Sequence, residues 1–225
     1  MAKLESVKSS SLDYDNEHDN HNNKIVYNTL KRTIDLICSC LALVLLSPIF
    51  LLIAIAVRLD SKGPVFFGHK RIGQDGKIIK VYKFRSMVIN AAEVFNNFTS
   101  EQKTEFEKNF KLENDPRITK VGDFLRKTSL DELPQLLNII IGNMSIVGPR
   151  PIVEKEKVKY GIYIDKLVSV KPGLTGYWQA HGRSDTTYDE RVQMDMYYID
   201  NRSTLLDFKI IVKTFLSVIK KEGAM

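Results

Sequence analysis

The stretch "LICSCLALVLLSPIFLLIAIAV", Leu36 to Val57, runs 22 residues without a charged side chain. No other feature narrows the fold so much, because so long an apolar run has to be covered by lipid or by protein. A long polar segment precedes it, which does not fit a secretory signal. The run is long enough to cross a bilayer, yet Ser47-Pro48 falls near its middle, where proline removes a backbone hydrogen bond. Lys31 and Arg32 stand before it, and Arg58, Lys62, Lys70 and Arg71 follow. A straight span would put one basic cluster on the wrong side of the membrane, whereas a helix that turns back keeps both on the cytoplasmic face. Each arm would then be about 11 residues, roughly 16 Å, reaching about halfway through the hydrocarbon. The Ser47 hydroxyl is placed to satisfy a carbonyl freed by Pro48. The preferred reading is a re-entrant helix broken at Ser47 and Pro48; a simple span ranks second and a buried soluble helix third.

Residues 1–24 are polar, rich in Ser, Asn and Asp, and read as a disordered tail. His18 and His21 within it are solvated groups rather than metal ligands. The tail is acidic, so the whole positive excess, 33 Lys and Arg against 27 Asp and Glu, belongs to the body. A basic body suits nucleic acid, anionic lipid or phosphorylated substrates, and charge alone does not choose. Cys38 and Cys40 are two apart in the apolar run and point to different sides of a helix, so no bridge joins them. That fits a reducing compartment.

From Gly63 on, the pattern is that of an α+β domain, and the chain divides into a tail (1–24), a re-entrant membrane helix (25–60) and a soluble domain (61–225). "GPVFFGHKRIGQDGKIIKVYKFRSM" reads as a β-hairpin turning at Asp75-Gly76. "INAAEVFNNFTSEQKTEFEKNFKL" reads as helix, with Phe106 and Phe110 four apart. "STLLDFKIIVKTFLSVIKKEGAM" reads as a helix capped by Ser203 and closed by Gly223, with Phe208, Ile211, Val212, Phe215 and Ile219 on one face. Such a stripe usually packs into a core; beside a membrane-dipping segment, an interfacial helix is the alternative.

Two adjacent acids, Asp131 and Glu132, open "DELPQLLNIII". Ser129-x-x-Glu132 matches a capping box, and Pro134 is tolerable in a first helical turn. Capping alone would account for the acids, but their neighbours are cationic. Arg117, Lys120, Arg126 and Lys127 lead in, and Arg150 follows between Pro149 and Pro151. Cations beside a carboxylate lower its pKa and keep it ionised, as a nucleophile requires, and would hold a phosphate. One acid can attack phosphorus while the other binds Mg²⁺ bridging phosphate oxygens. "KPGLTGYWQAHGR" adds Lys171, Gln179 and Arg183 beside Tyr177 and Trp178, either a nucleotide-diphosphate site or an ordinary glycine-rich loop with one buried Trp.

These blocks in this order resemble the bacterial sugar transferases, the monotopic polyprenyl-phosphate hexose-1-phosphate (phosphoglycosyl) transferases. The likeness runs from about Lys31 to the C-terminus. It rests on "KRTID", Ser47-Pro48, "GPVFF", "KFRSM", "DPRITKVGDFLRKTSLDELPQLLNIIIGNMSIVGPRP" and "KPGLTGYWQAHGR". The resemblance implies a mainly helical catalytic domain with a small hairpin or sheet on the cytoplasmic face of the bacterial cell membrane. It implies that Asp131 attacks a UDP-sugar, releasing UMP, and that undecaprenyl phosphate then takes the sugar-1-phosphate. Glu132 matches the acid that binds Mg²⁺. Arg126 and Arg150 match phosphate-contacting arginines, and Lys83 and Arg85 of "KFRSM" join the substrate-binding set, with Lys171, Gln179 and Arg183 as weaker members. The implied partners are the UDP-sugar, undecaprenyl phosphate and inner-membrane lipids, without nucleic acid; a homodimer stays open. "YWQAHGR" and the GAM ending are closest to members that start O-antigen or exopolysaccharide repeats, some galactose-specific. Larger members carry spanning helices ahead of this unit that this sequence does not include. The rivals are a membrane-associated glycosyltransferase releasing UDP and a non-enzymatic membrane-tethered scaffold.

Overall fold

The structure, a computed structural model, describes residues 2–109, 112, 114–182 and 186–219, leaving aside the side chains of 2–23, 107–109 and 218–219. Its architecture is mixed: one long apolar helix, two small two-stranded sheets and a set of short helices.

Helix α1 runs from Ala2 to Asp60 without a break, so the two arms expected around Ser47-Pro48 are one helix. The physical reason is local. Pro48 has no N–H for the Val44 carbonyl, and the Ser47 hydroxyl donates to that carbonyl at 2.8 Å. One side chain thus repairs the one bond that proline removes. The boundary expected at residue 24 carries no interruption of the backbone.

One face of α1 lies along the rest of the molecule. Asp35, Ser39, Ile53 and Val57 are buried on it, and Ala42, Leu43, Phe50 and Ala54 are partly so, the three-and-four spacing of a helical stripe. The other face exposes Ile37, Leu41, Val44, Leu45, Leu51, Leu52 and Ile55. Cys38 and Cys40 are free and exposed. Polar ties hold both ends. Arg32 donates to the carbonyls of Ile139 (2.6 Å) and Ile140 (2.9 Å), and Asp35 accepts from the Ile146 N–H at 3.0 Å. Lys31 meets Asp207 at 2.7 Å, and Asp60 accepts from the Val121 N–H at 3.2 Å.

The hairpin forms as expected: β1 (Phe66–Ile72) pairs antiparallel with β2 (Ile78–Phe84), and Asp75 and Gly76 both take positive φ in the turn. The helical segment after it splits into α2 (Ala91–Asn96) and α3 (Ser100–Asn109). The cause is Thr99, whose side chain accepts from the Gln102 N–H while the Gln102 side chain accepts from Thr99 N–H, a reciprocal cap that starts a new helix. Phe110 lies outside the described residues. Helix α4 (Lys120–Lys127) begins at Thr119, whose Oγ1 accepts from the Gly122 N–H at 3.0 Å. A Cβ at Gly122 would sit 2.1 Å from the Ser86 carbonyl oxygen, so only glycine lets this helix meet the strand exit.

Helix α5 (Gln135–Ile141) ends at Gly142 (φ 97°) and leads into β3 (Ser145–Val147). The short helices α6 (Lys157–Tyr160) and α7 (Ile164–Val168) follow, and β4 (Gly173–Thr175) pairs parallel with β3. Helix α8 (Tyr177–His181), α9 (Tyr188–Asn201, with a Thr187–Glu190 capping box) and α10 (Thr204–Ile219) complete the described chain. Two cores sit under α1: Ile79, Val81, Leu136, Ile139 and Met144 in one, Ile53, Val57, Phe84 and Leu125 in the other. The apolar helix is therefore part of the domain's core, which the division at residue 60 did not anticipate.

Helix α10 starts at Ser203, which accepts from the Leu206 N–H at 3.3 Å. Its aromatic stripe does not pack inward. Asp207 and Ile210 are buried and Ile211 partly so, while Leu205, Phe208, Val212, Phe215 and Leu216 face outward beside Lys209 and Lys213. Gly223 lies outside the described residues.

Candidate active site

Asp131 and Glu132 lie on a single 3₁₀ turn, Leu130–Glu132, between α4 and α5. The capping box does not form, because Ser129 closes α4 instead of opening the next helix. Its N–H bonds the Arg126 carbonyl at 3.2 Å, its φ is 57°, and its side chain caps nothing. That left-handed residue turns the chain sharply and delivers the acids toward the hairpin.

Lys83 of β2 meets them there. Its ammonium is 2.5 Å from a Glu132 oxygen and 3.6 Å from an Asp131 oxygen. Burial pushes the Asp131 carboxyl above its ordinary value; Lys83 opposes this, and the neighbouring Glu132 charge adds to it. The expectation that flanking cations would depress Asp131 is thus corrected, since loss of solvent outweighs them. Glu132 ends below its ordinary value. Burial raises it, but Lys83 and Arg150, with hydrogen bonds from Lys83 and Gln135, prevail. Two adjacent acids are split in opposite directions by their surroundings, the pattern of a pair with different tasks.

Arg126 approaches from the other side, donating from Nε to the Ser86 hydroxyl at 2.8 Å, with its charge bearing on Asp131. Arg150 lines the cleft with Glu132, Gln135 and Lys83. It makes no hydrogen bond or ion pair among the described residues, so its fork of donors stays available between the buried Pro149 and Pro151. Gln179 lines the same cleft, and its buried Oε1 has no hydrogen-bond partner among the described residues.

Other expected members are engaged elsewhere. Arg85 is buried and donates to the carbonyls of Val57 (3.1 Å), Ser61 (2.6 Å) and Lys62 (2.5 Å), tying down the end of α1 rather than reaching the cleft. Lys171 sits beside Arg32 and Asp35 of α1, its amine pushed down by burial and by Arg32. Arg183 lies outside the described residues. Arg117 forks onto Asp115 (2.6 Å) inside a cage of Phe95, Phe98 and Phe106, each ring centroid about 5 Å away. Trp178 is buried beneath Arg191, so it offers no open platform for a base.

The structure adds Arg71, which in the sequence is one of the cations that follow the apolar run. It lines the cleft beside Arg150, holds the Pro151 carbonyl at 3.3 Å and Glu156 at 3.4 Å, and is lowered to about 10 by burial and Arg150. The available signal was period two in the hairpin, which sets Phe67, His69 and Arg71 on the face of Lys83. Among the described residues no three acids, histidines or cysteines gather as a metal cluster. The donor set is instead the Asp131 and Glu132 carboxylates, hard oxygen donors of the kind Mg²⁺ takes, converging here on the Lys83 ammonium.

Residues 26–221 match the family model described as bacterial sugar transferase. The chain belongs to this family. Among related bacterial sugar transferases, it is 48% identical over 198 residues to the undecaprenyl-phosphate galactose phosphotransferase of Salmonella typhimurium, covering 87% of this chain and 41% of that protein. It is 46% identical over 197 residues to the exopolysaccharide production protein ExoY of Rhizobium meliloti, covering 86% and 87%. It is 45% identical over 199 residues to the UDP-glucose:undecaprenyl-phosphate glucose-1-phosphate transferase of Escherichia coli K12, covering 85% and 40%. The chain thus spans about two fifths of the length of the first and third of these relatives.

Proposed function

We propose that this sugar transferase moves a hexose-1-phosphate from a UDP-sugar to undecaprenyl phosphate, starting a surface polysaccharide. The observation that carries the reading is the Asp131–Glu132 pair, clamped by Lys83 beside a cleft where Arg150 makes no hydrogen bond or ion pair among the described residues. An Asp131 oxygen attacks the sugar-bearing phosphorus, the bond to the nucleotide breaks, and the electron pair leaves with UMP. An acceptor phosphate oxygen then forms the new P–O bond and frees the carboxylate. Neither step needs a proton moved by the protein. Lys83, Arg126 and Arg150 balance charge on the phosphoryl oxygens. Glu132 would hold Mg²⁺, which supplies further neutralisation of the diphosphate when bound.

Seating on the cytoplasmic face without crossing is part of the same proposal. α1 is long and apolar enough to cross a bilayer, but residues before and after its charge-free run bond to one and the same folded domain. An enzyme whose acceptor stays in the bilayer needs an anchor at the interface, not a pore.

The test is a panel of UDP-sugars with membranes containing undecaprenyl phosphate, scored for the nucleotide released. UMP is expected; UDP would mean an ordinary glycosyltransferase. Asp131→Asn is expected to abolish turnover, and retained activity would leave the acids as structural groups only.

A further inference from the structure

Two regions adjoin Lys83, the cation that holds the acids, and they differ in chemistry. One is the polar cleft, walled by Arg71, Arg150, Gln135 and Gln179. The other is the start of strand β1. Phe67 is paired across the hairpin with Lys83 and His69 with Val81, so Phe67, His69 and Lys83 share a face. Phe67 is 54% exposed, and its ring lies 5.9 Å from the His69 imidazole. His69 is half-buried and makes no hydrogen bond among the described residues. Burial and the charges of Arg71, Lys83 and Arg150 keep it neutral, pushed down to about 4. Behind this strand Phe66 packs against Phe84 with ring centroids 5.2 Å apart, and Phe84 against Phe50 of α1 at 5.3 Å, both pairs tilted. Phe84 thus links the start of β1 to Phe50, in the stretch of α1 that exposes Ile49, Leu52 and Ile55.

We propose that Phe67 and His69 form the acceptor side of the site, Phe67 guiding the first isoprene units of a polyprenyl phosphate from the bilayer to Lys83 and His69 donating a hydrogen bond to its phosphate. The nucleotide sugar takes the polar side. A neutral donor adds a hydrogen bond without a fourth full charge, which would also retain the diphosphate product. The assignment rests on the phosphoglycosyl transfer proposed above.

Two-step transfer separates the sides experimentally. Full-length protein given UDP-sugar without acceptor reports the first step as a burst of UMP; adding undecaprenyl phosphate reports the second. Phe67→Ser and His69→Ala are expected to keep the burst within about twofold of wild type and to raise KM for undecaprenyl phosphate about tenfold or more. His69→Gln, which keeps a neutral donor, is expected to recover most of the loss. Phe67→Ser is also expected to narrow the preference for undecaprenyl phosphate over a ten-carbon prenyl phosphate. Unchanged acceptor KM, or a burst lost in proportion to turnover, overturns the acceptor-side assignment alone. A wild-type protein that releases UDP, or shows no UMP burst, overturns the parent reading and this one with it.

Discussion

Asp131 is asked to ionise where burial disfavours charge, and that conflict has two measurable consequences. Its folded pKa is raised above the ordinary 3.8. Folding is therefore favoured while the group is protonated, and that advantage is lost as pH rises from the unfolded value through the folded one. At neutral pH the ionised group costs stability, so Asp131→Asn is expected to leave the thermal midpoint unchanged or higher while turnover falls about a thousandfold or more. The nucleophile must be ionised, so activity is expected to fail on the acid side at a pH above that of an ordinary aspartate. Lys83→Met removes the nearest opposing charge, 3.6 Å away, and is expected to move that acid limb to still higher pH in a pH–rate profile.

At the scale of elements, α1 is fixed to the domain chiefly through its ends and one stripe. Arg85 donates to the Val57 carbonyl in the last turn of α1 and to the Ser61 and Lys62 carbonyls just beyond its end. Arg85→Met is expected to destabilise the protein by about 2–3 kcal/mol, read in thermal unfolding, while KM for the nucleotide sugar stays within about threefold. That split separates a tether from a substrate contact. Helix α10 makes the complementary case. Its outward Phe208, Val212 and Phe215, with Lys209 and Lys213 at the edge of the same face, have the composition of an interfacial helix. Spin labels at positions 208 and 215 in vesicles are expected to collide with oxygen more than with an aqueous nickel chelate, and a label at the exposed Glu154 of the loop before α6 to do the reverse.

For the whole molecule the question is which side of the bilayer holds each end of the apolar run. Lys31, Arg32 and Asp35 bind the same body as Asp60, so both ends belong with the domain. Cysteines at position 24 and at a site beyond Lys62, in a protein lacking Cys38 and Cys40, are expected to be protected from an external reagent in intact cells. Labelling of one position alone would mean a true span.

Local chemistry was legible in the residues themselves: the hairpin with its Asp75-Gly76 turn, the Ser203 cap, the Ser47 hydroxyl beside Pro48, and the grouping of Asp131, Glu132 and Arg126 by neighbourhood. These depend on backbone geometry and on groups within a few residues, which sequence records directly. Tertiary structure decided what depends on distant segments. The inner face of helix α1 is covered by the domain's core, which only the packing of distant segments could provide. Arg85 serves a helix end because folding brings the exit of β2 to residues 57–62, and Arg71 reaches the cleft because the register of β1 puts it near Arg150. Asp131 is raised rather than lowered because burial, a sum over the whole surrounding fold, outweighs the few cations that sequence can count.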